Sequence, residues 1–195
     1  MPRQTGRTIV FTLLATVLIA AVAVIGLVYS GAYNVAATAE HTPLVRWALS
    51  TVQERSVAAR ADDVPDPPAT DSAALVHGFE HYDAMCVGCH AAPGVERGEY
   101  GKGMNPTPPE LSEEARELSS KQLFWITKHG IKLAGMPAFG PTHSDPEIWS
   151  IVAFVERLPD MTAEEYQGWA QRYAVGAAEV ESSHTHAPGT PDHSH

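Results

Sequence analysis

Cys86, Cys89 and His90 stand together in the stretch Ala84-Met85-Cys86-Val87-Gly88-Cys89-His90, and the two cysteines are the only ones among 195 residues. Cysteines at this spacing can form a redox disulfide, supply half of a zinc site, or anchor a haem. A zinc site needs four ligands, and no second cysteine pair exists to complete one. A redox CxxC belongs beside a βαβ pattern, and no segment of this chain alternates like a strand. The haem reading uses all three residues. Two thiols form thioethers with vinyl groups, and the imidazole that follows at once reaches the iron. Cys86, Cys89 and His90 are therefore read as cofactor-binding residues for one covalently attached haem c, with His90 ligating the metal.

The elements that must hold this turn are helices. Residues 72 to 86 place Leu75, Phe79, Tyr82 and Cys86 at helical intervals, with Asp71 or Ser72 as the cap. Residues 91 to 118, rich in Gly, Pro and Asn, read as loop, with a short helix after Ser112. A helix from Ser119 carries Lys121, Leu123, Trp125, Ile126 and His129 and stops at Gly130, a left-handed position. Ser144-Asp145-Pro146-Glu147 is a capping box opening a helix to about Leu158. Its inward stripe is Ile148, Ile151, Val152 and Val155, flanked by Trp149 and Phe154. Thr162 to Glu165 is a second capping box, before Tyr166, Trp169 and Tyr173. The fold class is all-α, with three to five helices in the domain.

The chain divides by composition. Residues 9 to 28 are apolar apart from Thr12, Thr16 and Gly26, and no charge occurs between Arg7 and Glu40. Twenty helical residues span about 30 Å, the thickness of a bilayer core. A cleaved signal peptide is the alternative, but its apolar core is shorter and Ala37-Thr38-Ala39 is poorly placed for cleavage. The uncleaved anchor is favoured. Arg3 and Arg7 hold residues 1–8 in the cytoplasm by the positive-inside rule. This puts the remainder outside, on the periplasmic side of a bacterial inner membrane, where haem is attached to CxxCH.

Segment 29–71 holds an amphipathic helix over residues 42 to 60 and a stiff Pro-rich linker, Val64 to Thr70. Thr42 caps that helix and Pro43 opens it. Its stripe is Leu44, Trp47, Ala48, Thr51 and Val52. Two readings stand for it: Trp47 with Arg46, Arg55 and Arg60 at the lipid interface, or packing on the domain or a partner subunit. The domain follows over 72–175. Residues 176–195 read as a disordered tail, whose His184, His186, His193 and His195 offer a metal-handling alternative.

Residues 1 to 60 carry a net charge of +3 and residues 61 to 195 one of −13. An acidic exported domain excludes nucleic acid as a partner. Its lysines 102, 121, 128 and 132 either steer an acidic partner or belong to a mixed surface.

CVGCH, a glycine-rich loop, then Gly135-Met136-Pro137-Ala138-Phe139 and an aromatic helix resemble class I cytochromes c over about residues 73 to 160. The resemblance implies a cytochrome c fold around the haem, with Met136 as second cofactor-binding metal ligand. Met104 is the rival methionine and His129 and His143 the rival histidines. It further implies that Gly78 and Tyr82 cross the last helix near Trp149 and Phe154, and that the neighbourhood of Pro93 supplies a carbonyl to His90. Pro106, Pro108, Pro109 and Leu111 resemble a loop of membrane-associated relatives. Leu123, Trp125, Ile126, Ile131, Phe139, Ile151 and Val155 are expected around the haem.

His and Met together leave no vacant axial position. The implied function is single-electron transfer by a membrane-anchored mono-haem cytochrome, not enzymatic turnover. Its redox partners would be an oxidase, a dehydrogenase or another cytochrome. A haem sensor or haem-enzyme subunit with an open distal site is the alternative.

Overall fold

A computed structural model describes residues 2–132 and 134–173, apart from the side chains of residues 2–5. The tail from residue 176 and its four histidines lie outside the described residues. Among the described residues all regular structure is helical, with two isolated bridges, Ala92–Val95 and Ile131–Met136.

Two units divide the chain, Met1–Glu40 and the residues from His41 onward. The first is built on α1 (Pro2–Ser30). Over Gly6–Ser30 it is long and apolar enough to cross a bilayer, and its side chains are exposed all round.

The second unit begins with α2 (Pro43–Ala61), opened as expected by Thr42 Oγ1 accepting the Val45 N–H at 3.4 Å. Its expected stripe is not what packs. Leu44, Trp47 and Val52 are exposed, whereas Val57 and Ala61, in the C-terminal half, are buried where α2 meets α7 (Ser120–His129). Val64, in the Pro-rich stretch, joins the main core.

α3 (Ser72–Met85) starts at Asp71, whose side chain accepts the Ala74 N–H at 2.8 Å. It lies against α8 (Asp145–Val155). Gly78 makes this approach possible: a Cβ there would stand 2.0 Å from the Ser150 carbonyl oxygen and 2.9 Å from Phe154 Cβ. The ring of Phe154 then meets Phe79 at 5.4 Å and Tyr82 at 5.5 Å. Trp149 has a different partner from the one expected. It stacks on Phe124 of α7 at 4.2 Å, on the other side of α8. α9 (Ala163–Tyr173) closes the core with Tyr166, 5.6 Å from Phe79.

Each fully buried ring or branched side chain contributes roughly 1.5–3 kcal/mol relative to exposure. The set Phe79, Tyr82, Ile148, Ile151, Phe154 and Tyr166 is therefore the main stabilising mass. Both capping boxes form: Ser144 N–H to Glu147 Oε2 at 2.7 Å and Thr162 N–H to Glu165 Oε2 at 2.8 Å. α8 ends at Val155, and a 3-10 turn, Leu158–Asp160, follows. The short helix expected after Ser112 is present as α6 (Leu111–Glu114) with a 3-10 turn, Ala115–Glu117, and α5 (Glu99–Lys102) adds a turn of helix to the stretch read as loop.

Candidate functional site

Cys86 ends α3, and Cys89 and His90 lie on the single-turn α4 (Val87–His90). The turn is wound back on Cys86, whose carbonyl accepts the N–H groups of Cys89 at 3.0 Å and His90 at 2.9 Å. Ala91 follows at φ 59°, which reverses the chain. Tyr82 O–H, buried in the core, donates to the Ala91 carbonyl at 2.5 Å. The helix crossing at Gly78 and the exit from the CxxCH turn are thus tied through one side chain.

Both thiols are free. Burial, with Cys89 adding to it, pushes the Cys86 thiol up to about 12. Redox-active CxxC motifs lower a thiol pKa so that the thiolate attacks; Cys86 is shifted the other way. Among the described residues no group of three or more His, Cys, Asp or Glu side chains is arranged to hold a metal ion. Neither the disulfide nor the zinc reading gains support.

His90 Nδ1 lies 2.9 Å from the carbonyl oxygen of Pro109. A carbonyl only accepts, so Nδ1 carries the proton and Nε2 keeps its lone pair. The accepting carbonyl was expected near Pro93 and proves to be that of Pro109, in the Pro-rich segment 19 positions from His90. Burial, helped by the charge of Arg97, lowers the imidazole pKa, while the bond to Pro109 opposes that shift. The neutral, ligand-competent ring is therefore favoured.

Two glycines let α5 lie on this turn. A Cβ at Gly101 would stand 2.9 Å from Cys89 Cα, and one at Gly98 would stand 3.3 Å from the Gly88 carbonyl. Arg97, beside them, pairs with Glu110 at 3.1 Å, and its Nε is buried without a hydrogen-bond partner among the described residues.

Met136 comes from the loop after α7. Gly130 ends that helix at φ 64° with extended ψ, a positive-φ cap but not the left-handed helical one expected. A Cβ on Gly130 would meet the Met136 carbonyl oxygen at 2.6 Å. Ile131 N–H donates to that same oxygen at 3.2 Å. The backbone of Met136 is thereby pinned to the end of α7, and its side chain is half-buried.

Met104 is closer to the turn than the sequence indicated. Its Sδ lies 3.9 Å from Cys89 Sγ, and its Cε lies 2.4 Å from the position of a Cβ on Gly135. Met104 thus bridges the CxxCH turn and the Met136 loop. The rival histidines have other neighbours. His129 is exposed against Trp125, and His143 meets His81 at 5.1 Å and Thr142 Oγ1 at 2.9 Å. Among the lysines, Lys102 pairs with Glu96, Lys121 with Asp66 and Lys128 with Asp145. These three belong to a mixed surface.

Residues 73–155, a little under half of the chain, match the family model described as cytochrome C oxidase, cbb3-type, subunit III. No curated protein matches the chain. With the all-helical fold around the CxxCH turn, the match makes residues 73–155 similar to a cytochrome c domain, a module for haem-based electron transfer, and is consistent with the class I type.

Proposed function

We propose that this chain is a membrane-anchored mono-haem c-type cytochrome that passes single electrons between respiratory or dehydrogenase partners. The observation that carries the reading is the Pro109 contact, which leaves His90 Nε2 as a lone-pair donor on the same short turn as two free thiols. The donor set fits haem in three respects. Cys86 and Cys89 would hold it by thioether bonds, His90 and Met136 would ligate its iron, and the unpartnered Nε of Arg97 would find an acceptor in one of its carboxylates. Bound there, haem supplies a one-electron iron couple.

The protein's own residues set the conditions. Pro109 orients the imidazole and raises its basicity. Met136, as second ligand, would exclude outside ones, and its thioether sulfur would raise the potential. Core residues such as Ile151 and Val155 exclude water. α1 keeps the domain on the periplasmic face of the inner membrane, where the oxidases, dehydrogenases or cytochromes it serves are found.

The test is haem staining of the purified chain after denaturing electrophoresis, with redox titration and exposure of the ferrous form to carbon monoxide. One haem per chain, retained under denaturation and lost in C86S/C89S, with a single one-electron wave and no carbon monoxide adduct, is expected. A high-spin ferrous form that binds carbon monoxide readily would support an open distal site instead.

A further inference from the structure

The apolar stripe of α2 has no partner within the described fold. Leu44, Trp47, Leu49 and Val52 are 70%, 64%, 48% and 67% exposed, whereas Val57 and Ala61 are 3% and 4% exposed. At roughly 100° per residue the exposed group is centred about 160° around the helix from the buried pair. One helix therefore presents two apolar faces: a small one in its C-terminal half, used against α7, and a broad one in its N-terminal half, turned away from it.

We propose that the N-terminal half of α2 lies in the interface of an anionic lipid bilayer. The inference rests on the reading of α1 as a membrane span. Two further features choose lipid as the occupant. Twelve residues separate Ser30 from Pro43, and a chain of that length reaches at most about 40 Å. The stripe is thus confined near whichever surface α1 leaves. Charge gives the second argument. α2 carries Arg46, Arg55 and Arg60 against one acid, Glu54, whereas residues 61 to 195 carry a net charge of −13. The exposed apolar surface thus sits on the cationic part of an acidic chain, the combination that anionic headgroups attract. Trp47 has the amphipathic ring favoured at that depth, and the long arginine stems let their charges reach the headgroups.

The experiment uses the full haem-loaded chain in phosphatidylcholine vesicles with and without phosphatidylglycerol. A spin label is placed at V52C or, as the control on the polar side, at Q53C. Collision with dissolved oxygen and with an aqueous nickel chelate is compared, and the vesicles are washed with alkaline carbonate. The expected result is retention through the wash, with an oxygen-to-nickel ratio several-fold higher at V52C than at Q53C. In the phosphatidylglycerol vesicles, Arg55→Gln or added salt should lower the V52C ratio. Retention with V52C as water-accessible as Q53C overturns this proposal and leaves the anchor standing. Release by the wash overturns the anchor reading and this proposal with it. A V52C label shielded from both reagents overturns it in favour of a protein partner.

Discussion

His90 Nδ1 and the Pro109 carbonyl oxygen stand 2.9 Å apart, although 19 positions separate them in sequence. The contact fixes the tautomer and the plane of the ring before any ligand reaches Nε2. Pro109→Ala keeps the carbonyl but frees its backbone φ, so the bond should loosen. A weaker bond makes the imidazole a poorer donor and disfavours ferric iron. The reduction potential should rise by up to about 60 mV, equivalent to a tenfold bias between oxidation states. Equilibrium redox titration checks this, and an unchanged potential would mean that the contact does not tune the iron.

The crossing at Gly78 makes a stability prediction. A methyl group there would stand 2.0 Å from a backbone oxygen, where relief requires α3 and α8 to separate. Gly78→Ala should cost about 3 kcal/mol, the upper end of ordinary overpacking. Urea denaturation of the haem-loaded protein measures it. A loss below roughly 1 kcal/mol would show that the crossing is looser than described.

Acid should destabilise the fold in two windows. His81 faces His143 at 5.1 Å, with His77, Glu80 and Glu147 around them. Burial first, then His143, holds the His81 pKa below its ordinary 6.5. The unfolded chain therefore takes up a proton more readily than the folded one, so stability is full above that value and falls as pH drops below it. The Glu147 carboxyl is held below its ordinary 4.5, chiefly by Ser144. Its contribution is present above that value and is lost at lower pH. In a series of denaturation curves from pH 8 to about pH 2, His81→Gln should flatten the first decline and spare the second. Identical curves would remove His81 as the cause.

Much of this was legible in the sequence where the signal is local. The CxxCH turn, both capping boxes and the small residue at Gly78 each act within a few residues or announce a close approach by their type. The residues misjudged were those whose partners are distant. The family resemblance pointed to the neighbourhood of Pro93 for the accepting carbonyl, but loop closure brings that of Pro109 to the imidazole. Trp149 has helical phase suited to either neighbour of α8, and only the position of α7 assigns it to Phe124. Asp66 and Asp145 neutralise Lys121 and Lys128 from separate segments. α2 buries a short face at Val57 and Ala61, too small to outweigh its longer apolar stripe in a periodicity reading.

Gly130 links the end of α7 to the proposed second ligand. Its positive φ and the 2.6 Å approach of the Met136 carbonyl leave no room for a side chain. Gly130→Ala should therefore shift the Met136 backbone and weaken its hold on the iron without touching His90. The expected sign is a fall in potential, because thioether ligation favours ferrous iron. Voltammetry of the variant reads this directly, and a potential equal to that of the parent would count against the coupling.

The central claim is that Met136, and not Met104, is the second axial ligand. Ferric haem with a thioether ligand shows a weak long-wavelength charge-transfer band that other ligand sets lack. That band should be present in the native protein, absent in Met136→Ala and intact in Met104→Leu. Loss of the band in Met104→Leu with retention in Met136→Ala, or no band in the native protein, would contradict the account.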